Sequence, residues 1–502
     1  MQLLLSKSNY LLGCQCPLRL WLHKHRKDLL PEEIPLSLQH TFDQGHEVGK
    51  LAQKYFKAGI EITEDYKNIP GAIDSTKKNI AGGSAIIFEA TASTTEGLFC
   101  RIDILRKAAD GQGWDMIEVK QSTHVAKYHL DDVAFQRYVF ENAGYKINKS
   151  ILMHINNKFI KNGEIDLSEF FVLEDVTEAA IKGQAKVKRN VQKFLKILSQ
   201  SEEFEIPVGS HCNNPFDCDF IDYCWSSIPK YSVYNIFKRN KNKLKKLLDQ
   251  NIIKVGDIPL DLDLSSKQRI DIESYQNGEI YKDKAKIDDF LKLLKYPLYF
   301  LDYETIFPAI PLFDGTKPYG QVPFQFSLHI QKKKGGTLEH LEYLHNEFSD
   351  PRAGLVKMLV SSCCKNGKCA GTVIVYNKPF EATINKSLAA AFPEYKKELL
   401  EINQKMKDLL IPFKQRFLYH PNQEGSASIK KVLPAFIPNM NYHDLEIGEG
   451  GIASLKYLEM ISDSTELEIK EKIYKALKVY CGQDTLAMVK LLEELENICA
   501  LP

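Results

Sequence analysis

Asp302 and Glu304 stand two residues apart in Phe300–Thr305, directly behind the aromatic, apolar run 296–299. In a strand, residues i and i+2 point to the same face, so the sequence sets two carboxylates side by side on an apolar element. That arrangement is unfavourable unless a cation sits with them, and a divalent metal ion held by oxygen is the fitting one. Partners lie downstream. Asn377 stands at a strand end with Glu381 four residues on, and Tyr480 and Asp484 are four apart in a helical stretch, which puts them on one face. A second set lies in the first half: Asp103 in RIDIL, and Glu118 and Lys120 two apart in IEVK. Acids of this kind can hold Mg²⁺ or Mn²⁺, the metal can activate a water, and the lysine can position that water or stabilise charge on a phosphate. The bare pattern also suits a cross-strand salt bridge. Third, Cys212, Cys218 and Cys224 are spaced by six, with Cys16 far upstream and Cys14 a competing first member. Four thiolates can hold a 4Fe–4S cluster or a structural Zn²⁺.

These residues need elements to position them. Three strand-like runs, 84–90, 98–106 and 114–120, are separated by turn residues, among them Asp110–Gly113. A helix over 128–143 carries Gln136 and Tyr138, a strand follows at 149–155, and a lysine-rich helix at 177–199. Residues 45–56 have the 3.6-residue spacing of a helix, and His46 lies in it. From 296 onward, strands at 296–303, 323–331 and 371–376 alternate with helices at 352–362, 379–390 and 466–498, an α/β pattern. Between the halves, 229–295 reads as a helical connector. Its cluster of Lys238, Arg239, Lys241, Lys243, Lys245 and Lys246 is a solvated face or a nucleic-acid contact. Ser426, Ser428, Lys430 and Lys431 fall in a turn before a helix, suited to capping it or to binding phosphate.

Composition narrows the class. A chain of 502 residues is long enough for two or three domains. A formal net charge of +1 means that any nucleic-acid surface must be local. No apolar run is long enough to span a membrane, no Walker A motif is present, and Lys7 interrupts the short apolar start. Eleven cysteines without an export signal point to thiols or metal ligands in a cytoplasmic protein, and Cys363, Cys364 and Cys369 read as free thiols near a turn.

In order along the chain, His46, Glu89, Asp103, Glu118-Val119-Lys120 and Gln136-Arg137-Tyr138 resemble the RecB-like branch of the PD-(D/E)XK nucleases. The resemblance implies a restriction-endonuclease-like domain. It assigns Asp103, Glu118 and His46 as metal ligands, with the Val119 carbonyl facing the metal. Lys120 would be the catalytic lysine, and Gln136 and Tyr138 would lie near the substrate. One cysteine before this core and three after it resemble the iron–sulfur members of that branch. There the cluster clamps the two ends of the domain, and the CPLRLWL run favours Cys16 as the first ligand. The order Asp302-x-Glu304, Asn377-xxx-Glu381, Tyr480-xxx-Asp484 resembles the DEDDy exonucleases, the DnaQ-like branch of the RNase H-like fold. There the four acids bind two metals, the tyrosine orients the attacking water, and the asparagine lies near the substrate. Glu381 departs from that pattern, which has Asp in its place. Asp408 is a possible further acid. The text of 296–502 also looks like a domain of unknown function found after RecB-like nuclease domains.

The expectation is therefore an α/β multidomain protein: a PD-(D/E)XK domain with a four-cysteine cluster over 1–228, a helical connector over 229–295, and an RNase H-like domain over 296–502. It would be a metal-dependent nuclease acting on DNA, with Mg²⁺ or Mn²⁺ and a 4Fe–4S cluster (or structural Zn²⁺), and without a membrane. The alternatives are an exoribonuclease in the second half, or a nucleic-acid-binding protein with one degenerate site.

Overall fold

The computed structural model describes residues 4–365 and 367–500. It forms two compact units, Met1–Ser227 with Pro308–Tyr319, and Ile228–Phe307 with Gly320–Pro502. Among the described residues no helix is long and apolar enough to cross a membrane.

The first unit is built on a mixed seven-stranded sheet. Its strands are β1 (Leu5–Ser6), β2 (Ile60–Glu61), β3 (Ile86–Ser93), β4 (Leu98–Lys107), β5 (Trp114–Lys120), β6 (Ile147–Ile155) and β7 (Phe171–Asp175). β2 to β7 lie side by side in chain order, and β1 pairs in parallel with β4. The helices are α1 (Lys7–Gln15), α2 (Pro17–His25), α3 (Leu36–Tyr55), α4 (Ile69–Ala81), α5 (Lys127–Asn142) and α6 (Thr177–Ser199). α6 buries Val187, Val191, Phe194 and Leu198, the spacing of one helical face. That face joins Tyr10, Leu20, Leu22, Phe135 and Val139 in the main core. The expected strands and helices around Asp103, Glu118 and Gln136 all form. α4 and the short β2 and β7 were not foreseen: β2 is two residues long, and the exposed acids of β7 hide its alternation.

The second unit holds a five-stranded sheet in the spatial order β10–β9–β8–β11–β12. These are β8 (Leu298–Ile306), β9 (Val322–Gln331), β10 (Leu338–Leu344), β11 (Thr372–Val375) and β12 (Met406–Asp408). β8, β9 and β10 form an antiparallel meander, whereas β11 and β12 run parallel to β8. Around the sheet lie α7 (Arg352–Cys363), α8 (Lys378–Ala391), α9 (Lys396–Lys405), α10 (Ile429–Phe436), α11 (Gly450–Ile461) and α12 (Leu467–Ala500). Gly371 fixes the parallel pair. It has φ +74°, and a Cβ there would lie 1.9 Å from the Pro297 carbonyl oxygen. Only glycine lets the chain enter β11 so close to the start of β8.

Residues 229–295, expected as a separate connector, pack within the second unit. Its helix Ser266–Asn277 buries Asp271, which accepts from Nε and Nη2 of Arg416, the latter at 2.9 Å. Arg416 also donates to the carbonyls of Phe413 and Gly425 and lies 4.7 Å from the centroid of the Tyr419 ring. A composition shift marks the segment in the sequence, but a buried ion pair at a separation of 145 residues cannot be read there. The thiol reading of Cys364 and Cys369 needs a correction too: they are disulfide-bonded across the antiparallel pair Cys364–Lys365 and Lys368–Cys369, while Cys363 stays free. The hairpin sets the two directly opposite one another.

Asp271 and Arg416 are each 7% exposed, so removing one partner leaves a buried charge. Arg416→Met is expected to cost the second unit about 3–5 kcal/mol, with Asp271→Asn in the same background recovering part of the loss. Chemical denaturation of the three variants measures this. Equal stability of wild type and Arg416→Met would show that the pair does not hold the segment.

Candidate metal centres

In the second unit, β8 is the central strand of the sheet. Leu301 and Tyr303 point into the core formed with α7, α8 and α9. Asp302 and Glu304 therefore point to the other face, opposite Ser327 and Gln325 of β9 in register. α12 covers this face and is held there by hydrogen bonds. Gln325 donates to the Leu477 carbonyl at 3.0 Å, Thr485 pairs with Ser327 at 2.7 Å, and His329 pairs with Thr485 at 2.8 Å. This docking brings Tyr480, Cys481 and Asp484, all buried, over the two acids. Glu381 arrives from the first turn of α8, just past the C-terminal end of β11. That end of a parallel strand pair is where α/β sheets bind ligands.

Asp302, Glu304 and Asp484 thus gather on this face with Glu381 beside them; Glu304, Glu381 and Asp484 are buried and Asp302 is half-buried. Burial raises Asp302 well above the usual carboxylate range, and Asp484, Glu304 and Glu381 add repulsion. Glu304 is raised by burial and Asp484, against the pull of Lys430. Burial lifts Glu381 to about 8, with Asp408 adding to it, and lifts Asp484 to about 6 even though the Tyr442 hydroxyl donates to it at 2.6 Å. Glu381 Oε2 is buried with no hydrogen-bond partner. Carboxylate donors with an orphaned oxygen among them fit a divalent ion such as Mg²⁺ or Mn²⁺.

The neighbours are placed as follows. Asn377 adopts φ +108° at the N-terminus of α8. Asp408, a candidate extra acid, accepts the backbone N–H groups of Asn377, Lys378 and Leu410, so it anchors that turn. Lys430 lies 5.7 Å from the ring centroids of both Tyr442 and Tyr480. Ser428 sits at the N-cap of α10 without a side-chain capping bond. Tyr442, Cys481 and the docking residue Thr485 were missed. Cys481 lies within the Tyr480–Asp484 stretch and Thr485 directly follows it, so both could have been found from it; Tyr442 carried no local signal.

In the first unit, Asp103, Glu118 and Lys120 come from β4 and β5, and Gln136 from α5. Glu118 Oε1 accepts from Lys120 at 2.7 Å and from Lys7 at 2.9 Å, and its Oε2 accepts from Gln136 at 2.8 Å. Asp132, one turn before Gln136, accepts from Lys120 and Gln136, each at 2.7–2.8 Å. Burial would raise Asp132, but Lys120 and Lys7 hold it far below the usual range. Asp103 accepts the Val119 N–H at 2.6 Å; burial and the Glu118 charge lift it to about 8. Glu89, facing Asp103 across the strand pair, has φ +59°, an uncommon conformation for a side chain of its size. Its nearest cation is Arg101 at 3.9 Å. Sequence reasoning missed Lys7 and Asp132; the i, i+4 relation of Asp132 to Gln136 was the available signal.

Two expected members are not brought into this cluster. Tyr138 stands about 200° around α5 from Gln136 and packs at the edge of the core near Glu96. His46 is exposed on α3 and does not close with Asp103 and Glu118 into a set of donor atoms within 4.8 Å. Its helix is tied to the end of β5 through Gln121, which donates to the Thr41 carbonyl.

Cys16, Cys212, Cys218 and Cys224 line one recess with Leu18, Leu22 and Phe220. Gln15 donates to the carbonyls of His211 and Phe216, and Arg19 pairs with Asp219 at 2.7 Å, which clamps the start of the chain to 211–219. Cys14 instead meets Asn190 and stays out of the recess. Burial and the other three sulfurs push Cys224 up to about 11. No three of the four sulfurs lie within 4.8 Å of one another, whereas a tetrahedral zinc sets sulfurs about 3.8 Å apart. The recess offers four thiols that could hold a 4Fe–4S cluster or, on closing further, a zinc ion.

The fold and centres describe an α/β multidomain protein with one buried carboxylate centre in each unit. Among known proteins, residues 299–428 match the family described as Domain of unknown function (DUF2779). The chain is 28% identical over 281 residues to the uncharacterized protein UU173 of Ureaplasma parvum, covering 52% of this chain and 40% of that one. It is 21% identical over 405 residues to the uncharacterized protein MG366 of Mycoplasma genitalium, covering 72% and 61%. The chain thus spans less than two thirds of the length of these curated relatives.

The raised carboxyls set a pH dependence. Glu381 has an ordinary value of 4.5 and about 8 when folded, so the unfolded chain ionises first as pH rises between them. Its contribution to stability is full below about 4.5 and is lost by about 8. Without divalent ions, the melting temperature of the second unit should fall across this window. Millimolar Mn²⁺ should restore it at pH 8, and Glu381→Gln should raise the metal-free value at pH 8 by about 2–4 °C per kcal/mol relieved. Scanning calorimetry tests this, and a pH-independent melt that ignores Mn²⁺ would remove the case for a cation centre.

Proposed function

We propose that this chain is a metal-dependent phosphodiesterase acting on DNA. The observation that carries the reading is the gathering of Asp302, Glu304 and Asp484 beside the buried Glu381, whose Oε2 has no hydrogen-bond partner. A divalent cation bound there by Asp302, Glu304, Glu381 and Asp484 would supply a lowered water pKa and charge neutralisation on a phosphate. The chain's own groups do the rest. Tyr480, beside Asp484 and Glu304, orients the attacking water through its hydroxyl, which burial keeps protonated. Lys430, 5.7 Å from the ring centroids of Tyr442 and Tyr480, attracts a phosphate by charge. Tyr442 holds Asp484 in place. Trimming of 3′ ends follows from the resemblance to the DEDDy exonucleases. In the first unit, Asp103, Glu118 and Lys120 support a second, RecB-like nuclease centre. The four-cysteine recess supports a 4Fe–4S cluster that ties the start of that unit to residues 212–224.

A second reading rests on a specific contrast. Glu118 and Asp132 are neutralised by Lys7 and Lys120 in the first unit, whereas among the described residues no ion pair reaches Asp302, Glu304, Glu381 or Asp484 in the second. The first centre would then hold nucleic acid while the second cuts. RNA in place of DNA is the alternative substrate for the second unit.

End-labelled DNA and RNA with Mn²⁺ distinguish these. Asp302→Ala is expected to lower degradation at least about 10²-fold, the scale of losing one catalytic contributor, and DNA to be cut faster than RNA. Asp103→Ala lowers activity as well if both centres cut, and leaves it unchanged if the first only binds. Activity untouched by both substitutions would end the nuclease proposal. In parallel, anaerobically purified protein should be brown and contain iron, and Cys218→Ala should bleach it. A colourless protein with stoichiometric zinc would replace the cluster.

A further inference from the structure

Cys481 is fully buried on α12, three residues before Asp484 and thus on the same helical face. Its sulfur lies 4.0 Å from Asp302 Oδ2, and ligand atoms of Asp302, Glu304 and Cys481 all fall within 4.8 Å of one another. Among the described residues, no other set of three histidine, cysteine or acidic side chains closes this tightly. A metal with oxygen and sulfur ligands sets them about 3.5 Å apart, so the three need to close by little more than an ångström. A second observation lies beside it. Glu381 is 1% exposed and its Oε2 has no hydrogen-bond partner, and the first turn of α8 that carries it follows β11, the strand next to β8.

We propose that Cys481 Sγ is a metal ligand of this centre, completing an Asp302–Glu304–Cys481 set that prefers a thiophilic divalent ion such as Zn²⁺ over Mg²⁺. The proposal rests on the reading that Asp302 and Glu304 hold a cation, and adds which cation. Mg²⁺ takes oxygen donors and dehydrates reluctantly, whereas a thiolate favours the softer ions, and zinc stands above manganese for nearly any such set. Binding converts the thiol to a thiolate bonded to the metal and releases its proton to solvent. An exonuclease centre built only for Mg²⁺ has no use for a sulfur there. A mixed set makes zinc a tight competitor, so the zinc level would govern whether the centre carries the softer ion.

Co²⁺ serves as the probe, since cobalt bound to thiolate absorbs in the near ultraviolet. The full-length protein, with its other cysteine centre left as purified, is titrated with Co²⁺ as wild type, Cys481→Ser and Asp302→Asn, and Mn²⁺ binding is followed by electron paramagnetic resonance. The expected result is one equivalent of cobalt–thiolate absorbance in wild type that Cys481→Ser lacks, with Mn²⁺ binding retained in Cys481→Ser. The preference for Zn²⁺ over Mg²⁺ should fall in that variant by about tenfold or more, at least the loss seen when a metal's outer partners are removed. If serine disturbs the packing, Cys481→Ala supplies the same difference spectrum at unchanged melting temperature. Equal cobalt–thiolate absorbance in wild type and Cys481→Ser, with Mn²⁺ binding lost in Asp302→Asn, overturns the sulfur ligand and leaves the carboxylate centre standing. Mn²⁺ binding unaffected by Asp302→Asn overturns both.

Discussion

Buried negative charge without a matching cation is the constraint on which the second unit turns. A single carboxylate moved into a low-dielectric interior either finds a partner or takes up a proton. Here three elements far apart in sequence deliver four of them to one place, and the raised values of Asp302, Glu304 and Glu381 are the consequence. The surrounding structure tolerates this because it is rigid elsewhere. Gly371 locks the parallel strands, and Tyr303, Asn385 and Asn403 form a buried hydrogen-bonded chain that ties α8 to the sheet and to α9. Ser327, His329 and Thr485 dock α12. The apolar core stabilises the fold and the acids work against it, a pattern expected where function rather than stability selects the residues.

The first unit solves the same problem differently. Its acids also come from neighbouring strands, yet Lys7, Lys120 and Gln136 satisfy them in a closed network. Lys7 is the informative member. It enters from the very start of the chain, and burial alone would pull its ammonium toward neutrality. Asp132, Glu118 and Asp103 more than reverse that pull and hold it charged. A cation entering between Asp103 and Glu118 would compete with this lysine for Glu118 Oε1, so the two centres differ in what a metal must displace. In the second unit it would replace protons on carboxyls, and in the first it would have to displace an ammonium.

The sequence made the periodic part of this structure legible and left the closures hidden. β5 was read at its observed ends, and α6 likewise, because turn residues and helical spacing bound them. Asp302 with Glu304 and Tyr480 with Asp484 were legible as pairs, since i+2 on a strand and i+4 on a helix are geometric statements. Lys7, Tyr442 and the Arg416–Asp271 pair were not, because each acts across more than 40 residues with no local pattern. Tyr138 shows the opposite failure. Two residues along a strand share a face, but two along a helix do not, so Gln136 and Tyr138 cannot both face Glu118. Asp408 was noticed for its charge, whereas its geometry is that of an anchor whose oxygens are filled by backbone N–H groups.

That anchor bears on why glutamate stands at 381. Asp408 grips the backbone at Asn377 and Lys378, and Asn377 takes a left-handed turn to meet it. The first turn of α8 is thereby held beside β12. From there a carboxylate must reach back to Asp302 across the end of β11. Glutamate has one more methylene than aspartate, so its charge can sit closer to β8 from the same backbone position. The charge of Glu381 adds to the raised value of Asp302, in keeping with that reach. The departure from aspartate is then a matter of where the helix starts. Cys481 extends the same logic, since a longer acid on one side and a sulfur on the other describe a centre shaped for an ion other than the smallest and hardest one.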